Sequence, residues 1–281
     1  MRNKIKNVVY LVSVLLLVYV VIKVDFFYLI QKLKTSPILI ISSVFLVFLS
    51  QLTIGIIWSR TLKKYFNISF IVSFPLFLAS IPAKYIPGKV ISPMMRLESP
   101  KYKNIKSELF LNILVENFII FFQNLIFGVY IYFEFINFFV YFVTINVIFF
   151  ILFLCSRYSF KKFNFAYMKN IFLIEISTLL NISGILLAFI AFDISSPMKI
   201  TLLYTFTLAL SMIIFLIPAG IGARENLFVE IGNAFKFSNI ITSGSSIFLR
   251  IIFIFSDIIF VFAQVFLKFF IASNKFLSKD S

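Results

Sequence analysis

Two short stretches carry the residue types and spacing that could do chemistry. The first is Lys84, Tyr85, Ile86, Pro87, Gly88 and Lys89, with Arg96 seven residues beyond. The second runs Pro218, Ala219, Gly220, Ile221, Gly222, Ala223, Arg224 and Glu225. Proline and glycine interrupt a helix and free backbone N–H and C=O groups. Within a bilayer such backbone is tolerated only inside protein or along a wet cavity. A broken helix end presents N–H groups and the positive end of a dipole, which suits an anion. Lys84, Lys89, Arg96 and Arg224 add cations beside the breaks. The two stretches therefore read as a binding path for a phosphate-bearing lipid head group. A plainer reading fits equally: Pro-Gly as an ordinary loop turn, with the lysines as interface anchors.

A second set of polar residues lies within apolar runs. Charges there are costly and usually face the bundle interior. Asn112, Glu116 and Gln123 share one helix face, widened by Asn117 and Asn124, and Glu175, Thr178 and Asn181 form another stripe. Arg250 and Asp257 stand two turns apart, too far to pair with each other, but each can meet a partner on another helix. One reading is a polar pathway in which Glu116, Glu175 or Asp257 carries protons. The other is hydrogen-bonding glue between helices. The amides fit glue; Glu116, Arg250 and Asp257 fit function better. Glu225 beside Arg224 is expected to form a local ion pair that shapes the turn.

The chain has no histidine and one cysteine, Cys155, in an apolar run. That excludes histidine-based acid–base catalysis, Ser-His-Asp triads, HExxH zinc sites, an internal disulfide and thiolate clusters. Asp25 and Asp193 stand alone in their loops. No catalytic residue, metal or cofactor is expected.

The elements that must position these residues are apolar. Of 281 residues, 61% are hydrophobic and 13% charged, and mean hydropathy is +1.05. A soluble domain carries about 25% charged residues, so the composition implies an all-α polytopic membrane protein. Apolar runs cover Val8–Ile22, Pro37–Trp58, Ile68–Ala83, Leu109–Phe133, Phe135–Cys155, Ile171–Phe192, Ile200–Ile217 and Ile240–Ala272. Lys23 and Asp25 follow the first run without a cleavage site, so it reads as a span, not a signal peptide. Trp58 is expected at a membrane interface. Ile68–Ala83 is short for a span and holds two helix breakers, Pro75 and Pro82. A long polar loop, Lys84–Glu108, follows it.

The net charge of +15 does not call for nucleic acid, because Lys and Arg collect in cytoplasmic loops of membrane proteins. If all eight runs cross with the N-terminus inside, ten Lys/Arg fall inside and fifteen outside, against that rule. If Ile68–Ala83 and Ile200–Ile217 instead dip in and return on the same side, nineteen fall inside and six outside. The expectation is six full spans plus two re-entrant hairpins, eight full spans being the alternative. Both termini are then cytoplasmic, in the inner cell membrane. The whole chain is one transmembrane domain whose halves, 1–134 and 135–281, form an inverted repeat, a transporter architecture. Ile81-Pro82-Ala83 and Ile217-Pro218-Ala219 echo each other across it.

The Tyr85-Ile86-Pro87-Gly88-Lys89 loop, paired with Pro218-x-Gly220-x-Gly222-x-Arg224-Glu225, resembles the lysylphosphatidylglycerol synthase transmembrane-region family, the flippase-like domain proteins. Arg250 is similar to an arginine of that family, and Ala219 stands where the family often has glycine. The resemblance spans the whole chain. It implies a membrane module that moves lipids or glycolipids between leaflets, with no aminoacyl-transfer domain here. Its partners would be membrane lipids or lipid-linked sugars. The alternatives are a membrane-embedded enzyme of lipid-linked glycan or phospholipid modification, or an accessory subunit to a synthase or glycosyltransferase in the same membrane.

Overall fold

The computed structural model describes residues 36–84, 91–99, 102, 104–133, 170–194, 196–213 and 223–277. All the regular structure among them is helical. The helices are α1 (Pro37–Phe66), α2 (Phe70–Ala83), α3 (Ile91–Arg96), α4 (Lys106–Phe133), α5 (Ile171–Ala191), α6 (Pro197–Ile213), α7 (Ala223–Ala234) and α8 (Asn239–Leu277). Four of them, within α1, α4, α5 and α8, are long and apolar enough to cross a membrane. The expected spans Val8–Ile22 and Phe135–Cys155, and Cys155 itself, lie outside the described residues.

Helix starts follow local chemistry. Pro37 and Pro197 open α1 and α6, where a missing N–H costs nothing. Asn67 closes α1 in the left-handed region, φ 52°, which asparagine tolerates well. Contrary to expectation, neither Pro75 nor Pro82 ends α2. Residues 77–83 are all buried, and their packing offsets the hydrogen bonds the two prolines cannot make. The expected polar loop after α2 is also more ordered than predicted, since it contains α3 and gives way to α4 at Lys106.

α1 packs most extensively on α5. The seam on α1 is Ile40, Ser43, Val47, Ser50 and Ile54, buried at alternating spacings of three and four. Ser43 Oγ donates to the carbonyl of Gly184 at 2.7 Å, and Ser177 Oγ donates to the carbonyl of Ser50 at 2.8 Å. A Cβ on Gly184 would stand 2.9 Å from Val47 Cγ2, so glycine sets how closely these helices approach. Small residues and hydroxyls replace the hydrophobic drive that lipid does not supply. The opposite face of α1 exposes Ile38, Ile41 and Phe45.

The packing pattern recurs in two sets. α1 touches α2, α2 touches α3, and α8 touches both α2 and α1. Likewise α5 touches α6, α6 touches α7, and α4 touches both α6 and α5. α2 has 14 residues and is about 21 Å long at 1.5 Å per residue. That is less than the roughly 30 Å of a hydrocarbon core.

Candidate functional site

All eight described helices contribute to the lining of a cavity of about 380 Å³. Its lining includes Lys84 and Arg96 from around the first break, Arg224 from the second, and Arg250 from α8. Sequence reading named all four cations, which lie more than a hundred residues apart across the two halves. Glu116 of α4 lines the same space, as do Asn117, Asn124, Thr178 and Asn181 from the two polar stripes.

Two ion pairs order this space. Lys84, the C-cap of α2, reaches both carboxylate oxygens of Asp257, at 2.8 Å and 2.7 Å. Asp257 lies near the middle of the 39-residue α8 and is fully buried. Arg96, the last residue of α3, donates to Glu116 Oε1 at 2.8 Å. The end of α2 explains how α3 is held. Lys84 N–H turns back to the carbonyl of Ile81, and the Ser80 carbonyl accepts from Ser92 Oγ at 2.9 Å. Arg96 Nε donates to Ser80 Oγ at 3.3 Å.

Each arginine beside a break lies against two aromatic rings. Arg96 Cζ is 4.7 Å from the Phe77 centroid and 5.9 Å from Trp58. Arg224 Cζ is 5.5 Å from Tyr204 and 6.0 Å from Phe253. At such distances the ring face attracts the cation. Sequence reading missed these rings. Phe77 and Tyr204 lie on the helices leading into the breaks, which is a usable signal. Trp58, expected at an interface, is fully buried, with α1 continuing two turns beyond it and the Arg96 guanidinium of α3 over its ring.

The polar stripes divide in their roles. Thr178 Oγ1 donates to Gln123 Oε1 at 2.5 Å, joining α5 to α4 as glue. The asparagines do not act so. Asn112, Asn117 and Asn124 each donate to the carbonyl four residues earlier on α4, within reach of a short amide. Asn124 Oδ1 and Glu116 Oε2 are buried and have no hydrogen-bond partner among the described residues. Buried polar atoms are nearly always satisfied, so two orphaned acceptors on residues lining a cavity mark where a donor is missing. Glu175 is also buried, one turn before Thr178.

Tyr85, Pro87, Gly88, Lys89, Pro218, Gly220 and Gly222, together with the Glu225 side chain and its expected ion pair, lie outside the described residues. Among the described residues no group of acidic or cysteine side chains could hold a metal ion. Comparison with protein-family models, with curated proteins and with solved structures finds no match to this chain.

Proposed function

We propose that the chain is a translocator that passes an anionic lipid or glycolipid head group between bilayer leaflets through this cavity. The observation that carries the reading is the gathering of Lys84, Arg96, Arg224 and Arg250 around one space. Two of them are paired with buried carboxylates, Lys84 with Asp257 and Arg96 with Glu116. Four cations against those two carboxylates leave the space positive, which suits an anionic head group. Glu116 Oε2 and Asn124 Oδ1 call for donors, which the hydroxyls or amine of a glycerol or sugar head group supply. Apolar acyl chains would stay in lipid while the head crosses.

In this reading α2 and α6 are the leading arms of two re-entrant hairpins, giving six spans and two hairpins. Support comes from α2, too short to span, whose cap meets Asp257 midway along α8. The recurrence of the packing pattern supports an inverted repeat with α1 matched to α5, α2 to α6, α3 to α7 and α4 to α8. Positive charges then place both termini in the cytoplasm. The loop motifs support kinship with the flippase-like domain proteins.

Trp58, the single tryptophan, lies under Arg96 and reports on the cavity. Phosphatidylglycerol added to the detergent-solubilised chain is expected to shift Trp58 emission saturably, and phosphatidylcholine is not. Arg96→Gln is expected to abolish the shift. An emission spectrum indifferent to every anionic lipid contradicts the reading and leaves the accessory-subunit alternative.

A further inference from the structure

A second hollow, of about 810 Å³, lies at the end of α1 and shares no lining residue with the central cavity. The apolar run 37–58 is about 33 Å long, one hydrocarbon thickness. Ser59 and the residues after it therefore begin at head-group level. Arg60, Lys63 and Lys64 line the hollow. Their i, i+3, i+4 spacing puts them on one helix face, and all three are exposed. Among the described residues none of the three is in an ion pair. Ser59 lines the floor, is fully buried, and its Oγ has no hydrogen-bond partner among the described residues. Asn170 is fixed at the rim by donating to Thr61 Oγ1 at 2.9 Å. Phe70 and Leu173 supply apolar walls.

Cytoplasmic-loop cations need only be near the membrane. They do not require a hollow, a buried hydroxyl awaiting a partner, or apolar walls beside them. We propose that this hollow is a second site, which holds the phosphate head group of an anionic phospholipid from the surrounding leaflet. Arg60, Lys63 and Lys64 meet the phosphate oxygens, Ser59 Oγ donates to one of them, and the acyl chains lie along Phe70 and Leu173. A free phosphate would leave those walls without an occupant, so the source is lipid. The site does not depend on the transport reading.

The test is native mass spectrometry of the full chain titrated with dioleoyl phosphatidylglycerol and with dioleoyl phosphatidylcholine, in wild-type and Arg96→Gln backgrounds. Three cations meeting the head group are expected to give a preference of about tenfold or more for phosphatidylglycerol, because basic residues at a membrane surface favour anionic lipid. The combined Arg60→Gln, Lys63→Gln and Lys64→Gln variant is expected to bring that preference to about one in the Arg96→Gln background, where the central cavity no longer contributes, and to lower it in the wild-type background. Ser59→Ala, which leaves every charge in place, is expected to weaken binding roughly fivefold, the worth of one hydrogen bond. Lys236→Gln, an exposed cation on another loop, is expected to keep the preference. Four results overturn the proposal. In the Arg96→Gln background the triple variant could keep its preference, or Lys236→Gln could lose it equally, which means diffuse charge. Arg96→Gln alone could abolish it, which places the lipid in the central cavity. Excess inorganic phosphate could displace the lipid fully, which means a free-anion site.

Discussion

The Lys84–Asp257 and Arg96–Glu116 pairs have nearly equal lengths, 2.7 Å and 2.8 Å, and different settings. The Arg96 pair joins residues twenty apart, α3 to α4, within the first half. Its arginine side chain is 15% exposed and its glutamate 2%. Arg96 is further fixed by Ser80 Oγ, Phe77 and Trp58. The Lys84 pair joins residues 173 apart, the tip of α2 to the middle of α8, and so ties one half to the other. Its lysine is 35% exposed on a flexible stem, while Asp257 is fully buried. The first pair is a strut and the second a latch. A guanidinium held on several sides resists movement, whereas a half-exposed ammonium can leave for water or for a phosphate. In the proposed translocation the cavity opens toward each leaflet in turn, and both kinds of pair serve it.

The contrast predicts unequal costs. Glu116→Ala strands a buried guanidinium and is expected to lower stability by about 3–5 kcal/mol, read as thermal unfolding in detergent. A loss under about 1 kcal/mol would mean Arg96 escapes to water and the strut is not one. Asp257→Asn leaves a lysine that can reach water, so about 1–2 kcal/mol is expected. A double-mutant cycle with Lys84→Gln should recover a coupling energy smaller than that of Arg96→Gln with Glu116→Gln. Equal couplings would erase the distinction. The smallest effect is away from both pairs, at Tyr102, between α3 and α4. Its hydroxyl is buried with no hydrogen-bond partner among the described residues, and burial pushes its phenol above the ordinary value. A raised folded pKa means stability present at neutral pH and lost as pH climbs past about 10. Tyr102→Phe is expected to flatten that alkaline loss and to add up to about 1 kcal/mol at neutral pH.

Much of this was legible in the residues. Apolar runs located α1, α4, α5 and α8, because a span must be long and uncharged. Lone charges in those runs located the cavity, because Glu116 and Arg250, which line it, and Asp257, which pairs with the lining Lys84, are too costly to face lipid. Pairing was not legible. Nothing local says that Lys84 meets Asp257 and Arg96 meets Glu116, since each match depends on how far α2 descends. Pro75 and Pro82 misled for a related reason, since tertiary burial of α2 outweighs two lost backbone bonds. The asparagines of α4 misled because an amide can satisfy half its demand on its own helix. Trp58 misled because its position on the helix resembles a belt residue, while its neighbour Arg96 lies far along the chain on α3.

In the proposed function a head group crosses through the cation-lined cavity shared by the two halves. Leaflet exchange of a head-group-labelled phosphatidylglycerol in proteoliposomes measures it directly. Wild-type protein is expected to speed exchange well above protein-free vesicles. Arg224→Gln, which removes one of the second half's two cavity arginines while sparing both ion pairs, is expected to bring exchange at least tenfold back toward that baseline, about 1.4 kcal/mol in the barrier. Exchange that is equally fast in wild type and Arg224→Gln, or no faster than in empty vesicles, would contradict it.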